Sequence, residues 1–212
     1  IMKQLKENFE EKESALDKLI NWVADTQPEE LKEYIDMLRQ QNKGISNDDL
    51  AKKIKNRKAF KNGLVGAITG VGGLITLPLA IPADLIASWK IQAFMAFAIA
   101  YVYGQTASST DLKTDLYIII AGDSAKEALK RFGIEAGKIV TKKMIQKYIT
   151  IDIMKGIWRV LSRKIITKAG TKSLTSFTKM IPGVGAVIGF AFDYASAQTV
   201  GKYAIQYYSG KK

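Results

Sequence analysis

The sequence predicts an all-α fold, a compact multi-helix bundle built around Gly/Pro-interrupted apolar helices, and three observations predict it. Apolar residues recur at spacings of three, four and seven, and no period-two alternation persists long enough for a strand. Helix-start residues (Ser, Thr, Pro) precede these repeats and glycines follow them. The composition, 47% hydrophobic and 9% aromatic over 212 residues, suits a folded chain with one sizeable core.

The elements follow in order. Leu5, Phe9, Leu16, Leu19, Ile20 and Val23 place one apolar face on a first helix. Thr26 and Glu29 form a capping-box pair, Pro28 suits a first turn, and Leu31, Ile35 and Leu38 give a second helix its inner face. Gly44 is expected to end that helix, and Ser46 with Asp48 and Asp49 to open a third. Residues 1–62, with 13 basic and 12 acidic side chains, read as a charged helical N-terminal subdomain packed on the rest.

At Gly63 the composition changes, and residues 63–212 read as a helical core. Residues 62–83 carry no charge, a length that could cross a bilayer. Gly63, Gly66, Gly70, Gly72 and Gly73, with Pro78 and Pro82, suit a broken helix better than a clean span. Such small residues allow close helix approach in lipid or in a tight core. Pro82 is placed to open a helix at Ala83–Asp84, uncharged from Ile91 to Tyr103 and ended by Gly104. Apolarity all round requires full burial, in a core or in lipid. Ser109 or Thr110 starts a helix through Asp115 and the run 117–120. Ser124 with Glu127 caps another, which is interrupted near Gly133. A last helix begins near Pro182; its Tyr194, Tyr203, Tyr207 and Tyr208 suit either the rim of a core or a membrane interface.

The net charge of +12 is concentrated: residues 123–180 hold 14 basic against 4 acidic side chains. Lys138, Lys142, Lys143, Lys147, Lys155, Arg159, Arg163, Lys164 and Lys168 recur at spacings of four between apolar residues. Like charges so spaced repel mildly, so helix stability does not select them. The pattern suits either a solvated face or a surface for anionic lipid or an acidic partner. Nucleic acid is not expected, because Phe132, Tyr148 and Trp158 are too dispersed for a stacking platform and no groove-reading motif occurs.

Reaction chemistry is sparse. The chain has no cysteine and no histidine, which removes thiolate nucleophiles and the commonest general base and metal ligand. No enzyme activity and no cofactor are expected. Asp111 and Asp115, four apart, are too few oxygen ligands for a hard-cation site. Asp84 and Asp193 are lone acids in apolar surroundings, and each requires a partner or a proton. Helix capping accounts for Asp84, with Lys90 as another partner, and Lys202 or a tyrosine hydroxyl could serve Asp193. The two acids could also converge on a polar pocket. The charged start lacks the apolar stretch of a signal peptide, so a cytoplasmic protein is expected.

Two blocks carry a family likeness. GLVGAITGVGGLITLPLAIPADL and the helix ending YVYG, with Thr69, Gly70, Gly73, Pro78, Pro82, Asp84, Tyr103 and Gly104, resemble the Gly-rich, proline-interrupted core of the EcsC protein family. IPGVGAVIGFAFDYASAQTVGKYAI, with Pro182, Gly185, Asp193 and Gly201, resembles that family's second block. The resemblance covers about residues 60–208, and LPLAIPAD departs from it by an extra turn before Asp84. A weaker likeness exists to helical domains that accompany membrane-associated GTPases, but no GxxxxGK[ST] loop is present. The family resemblance implies a bacterial accessory protein without known catalysis, with an ABC transporter or other membrane protein as a partner. The expected function is peripheral association with an anionic membrane surface through the basic face. Two alternatives stay open: a soluble module holding a lipid-like or other hydrophobic ligand, and a protein inserting residues 63–103 as a membrane hairpin.

Overall fold

Pro28 at a first-turn position opens α1 (Pro28–Gln41), and Glu29 and Glu30 face the positive end of its dipole. Leu31, Ile35 and Leu38, one stripe at spacings of four and three, are buried. The Asn42 side-chain amide donates to the Leu38 carbonyl at 2.8 Å, and Gly44 turns the chain with φ 76°. That left-handed backbone favours glycine. Ser46 then caps α2 (Asn47–Val71), accepting from the Asp49 N–H at 3.1 Å and donating to the Asp49 carboxylate at 2.8 Å. The helix stop at Gly44 and the start at Ser46 are those expected from the sequence.

The computed structural model describes residues 28–71, 83–105, 115–116, 118–120, 122, 129–131, 133 and 184–210. Besides α1 and α2 these form α3 (Ala83–Val102), helical residues at 115–116, 118–120 and 129–131, and α4 (Val184–Ser209). Every described element is helical, as the periodicity predicted. The composition change at Gly63 falls inside α2, which continues without interruption to Val71. α3 ends in a Schellman turn: the Gln105 N–H donates to the Ala100 carbonyl at 3.0 Å, the Gly104 N–H to Tyr101 at 2.9 Å, and Gly104 has φ 75°. Gly133, the expected interruption, also has positive φ, 73°.

Paired residues fix the directions. Arg39 donates to Asn47 at 2.8 Å and Arg57 to Gln41 at 3.5 Å, which ties the end of α1 to α2. Asn62 meets Asp193 and Gln198 meets Asn56, so α4 runs antiparallel to α2. The Tyr103 hydroxyl donates to Asp48 at 2.9 Å, while Phe94 lies against Lys58, which makes α3 antiparallel to α2 and parallel to α4. These helices enclose a core of Ile35, Leu38, Leu50, Ile54, Met95, Ile99, Leu116, Ile119 and Leu129, each almost fully buried. Most of the uncharged stretch of α3 is therefore core: Ala93 and the residues from Met95 to Ala100 are all buried, while Tyr101 is exposed. Tyr207 and Tyr208 are buried as well, and Tyr194 and Tyr203 pack against the same core.

Several sequence expectations lie outside the described residues. They are the first helix (Leu5 to Val23), the caps at Thr26, Ser109 or Thr110 and Ser124, Asp111, and the basic residues Lys138, Lys142, Lys143, Lys147, Lys155, Arg159, Arg163, Lys164 and Lys168. Gly73, Pro78, Pro82 and Pro182 also fall there.

Candidate functional site

The two family-like blocks meet where α2 crosses α4. Glycines at 63 and 66 on α2 and at 189 on α4 leave the facing surfaces without side chains, and the backbones touch. A Cβ on Gly66 would strike the Gly189 carbonyl, and one on Gly189 would strike the Gly66 carbonyl. The Phe190 ring lies over Gly63, where a Cβ would come within 2.7 Å of it. Phe190 in turn packs edge-on to Phe60 at 5.6 Å and stacks on Tyr194 at 5.7 Å.

Two buried polar residues mark the level of this crossing. The Asn62 amide, fully buried, donates to the Asp193 backbone carbonyl at 2.7 Å. The Asp193 carboxylate lies beside Gly66, within 2.6 Å of where a Cβ would stand. Lys202, nine residues further along α4, is exposed. Asp193 is therefore built into the helix–helix contact, its backbone carbonyl held by Asn62 and its carboxylate against Gly66.

Beyond this level the outward faces of both helices are apolar and bare. Ile68 is 72% exposed and Val187 70%, and Leu64, Ile188 and Phe192 are exposed too. No charged residue occurs on α2 after Lys61 or on α4 before Asp193. On the other side of the level, Lys52, Lys53, Lys55, Arg57, Lys58 and Lys61 follow one another on α2 with no acid among them. Lys52 is paired with Asp49 at 3.1 Å. Lys58 places its ammonium 3.7 Å from the Phe94 ring centre and 4.2 Å from that of Tyr34, and burial pulls its pKa down to about 8.

Other family-motif positions have structural work. Tyr103 ties the end of α3 to the first turn of α2 through Asp48, and burial with that hydrogen bond holds its hydroxyl above its usual pKa. Gly104 makes the Schellman turn. Gly201 lets Lys55 and Met95 close on α4, with the Met95 sulfur 3.0 Å from where a Cβ would stand. Thr69, Gly70 and Gly185 lie within α2 and α4, and Asp84 lies in the first turn of α3.

Asp115, read from the sequence as half of a weak metal pair, accepts a hydrogen bond from the buried Tyr207 hydroxyl at 2.6 Å. Among the described residues no group of three or more acids could hold a metal ion. Sequence reasoning missed Asn62, Gly189 and the Asp115–Tyr207 bond. Gly63 and Gly66, three apart, and Gly185 and Gly189, four apart, were the available signal for the crossing. No described helix is long and apolar enough to cross a membrane.

A family model described as the EcsC protein family matches residues 2–210. The match takes in the charged start, which the motif resemblance over 60–208 had left outside. No curated protein and no solved structure matched the chain.

Proposed function

This chain belongs to the EcsC protein family, and from that premise we propose a non-enzymatic accessory protein that associates peripherally with the membrane from the cytoplasm. The observation that carries the reading is the charge distribution, 14 basic against 4 acidic residues between 123 and 180. Charge gathered in one segment acts on partners rather than on the fold. In this reading Lys138 to Lys168 meet anionic headgroups, each basic residue near the surface adding about 1 kcal/mol. An ABC transporter or another membrane protein would then be met at that surface.

Flotation of the purified chain with neutral and with anionic vesicles, at low and high salt, tests the proposal. Binding only to anionic vesicles, reversed by salt, is the expected result, because contacts at a charged surface are screened. Charge reversal at Lys155, Arg159 and Arg163 should weaken flotation, and unchanged binding by that variant would refute the role given to the basic face. Failure to float with either kind of vesicle would favour a module holding a hydrophobic ligand, to be sought by mass spectrometry of the purified protein.

A further inference from the structure

We propose that the uncharged end of the α2–α4 pair enters the acyl layer of one leaflet of an anionic bilayer, with Arg57 and Lys61 at headgroup level. The inference rests on the membrane association proposed above and adds which end of the molecule goes in.

Three observations on the described helices support it. The first is exposure: Ile68, Val187, Leu64 and Ile188 face outward on two helices that are joined glycine to glycine along their inner faces. Exposed apolar surface gathered in one place marks a contact with something apolar. The second is the order of charge along α2. Six basic residues between Lys52 and Lys61 are followed by ten residues, to Val71, with no charge at all. An acidic protein partner would match the first part only. An anionic leaflet matches both, with phosphates above and hydrocarbon below.

The third is length. At a rise of 1.5 Å per residue, Lys61 to Val71 covers about 15 Å, and Val184 to Asp193 about 14 Å. Half of a bilayer's hydrocarbon core is also about 15 Å. The Asn62–Asp193 level, with its buried carboxylate, would then lie at the hydrocarbon boundary, where a charge is far less costly than at the bilayer centre. Residues 72–82 after α2, GGLITLPLAIP, likewise lack charge. This differs from insertion of residues 63–103 as a hairpin, because the second half of α3 is occupied in the protein core.

The chain has no cysteine, so single cysteines can report depth without background. Ile68→Cys and Val187→Cys, at positions 72% and 70% exposed, would carry an environment-sensitive fluorophore, with Glu33→Cys and Lys202→Cys as exposed controls. With anionic vesicles at low salt the labels at 68 and 187 should shift to shorter emission wavelength and be quenched by acyl-chain spin labels, while those at 33 and 202 stay aqueous. The double variant Ile68→Glu with Val187→Glu should lower the vesicle partition coefficient by about tenfold or more. Flotation with labels 68 and 187 still in water would overturn the insertion and leave membrane association standing. Absence of flotation would overturn both. A shift at 68 and 187 without vesicles, growing with protein concentration, would mean that a second copy covers this end and would also overturn the insertion.

Discussion

At Gly66 a single methyl group decides how closely two helices can approach. Its neighbours there are the Gly189 carbonyl and the Asp193 carboxylate, and backbone cannot rotate aside as a side chain can. Gly66→Ala must therefore part α2 from α4, and an overpacking cost of about 1–3 kcal/mol is expected. Gly63→Ala meets only the edge of the Phe190 ring, which can move, so its cost should be smaller. Urea unfolding of the two variants checks the order. If Gly66→Ala unfolded at the wild-type midpoint, the backbone contact would not exist in solution.

Single elements are held by a few buried polar bonds, and the Asp115–Tyr207 bond is the clearest. It ties the helical residues at 115–116 to the end of α4, with both partners buried. Tyr207→Phe leaves a buried carboxylate without this donor, a loss of about 1–3 kcal/mol. Burial and then the Asp115 charge push the Tyr207 hydroxyl well above its ordinary pKa of 10.0. A folded-state pKa raised in this way gives stability that is complete below pH 10 and falls as the pH rises above it. The stability gap between wild type and Tyr207→Phe should therefore narrow above pH 10 in denaturant titrations. A gap constant to pH 11 would refute the coupling.

The elements themselves were legible in the sequence where the signal is local. Ser46, Gly44 and Gly104 act through residues within a few positions, and each does what its chemistry predicted. Leu31, Ile35 and Leu38 face inward because their spacing leaves no other shared face. The Asn62–Asp193 and Asp115–Tyr207 contacts were not legible, because they join residues 131 and 92 positions apart. No periodicity reports such a pairing. Asp193 stood out as a lone acid and Asp115 only beside Asp111, and the partners of both depended on which helices cross.

At the scale of the whole molecule the described helices divide into a buried half and a bare half, and the two should differ in how often they open. Leu50, Ile54, Ala197 and Ala204 lie in the core, whereas Leu64, Ile68, Val187 and Ile188 face outward on the same two helices. Local opening is easiest where few apolar contacts are lost. Amide hydrogen exchange should thus be slow over 50–59 and 197–208 and faster over 64–71 and 184–192, even though 50–59 and 64–71 share one continuous helix and 184–192 and 197–208 another. Anionic vesicles should slow exchange in the second pair of ranges and leave the first nearly unchanged, because only the bare end gains new apolar neighbours. Equal protection at both ends without vesicles would mean that the glycine crossing alone stabilises the bare end as well as the core does, and that end would then need no membrane to complete it.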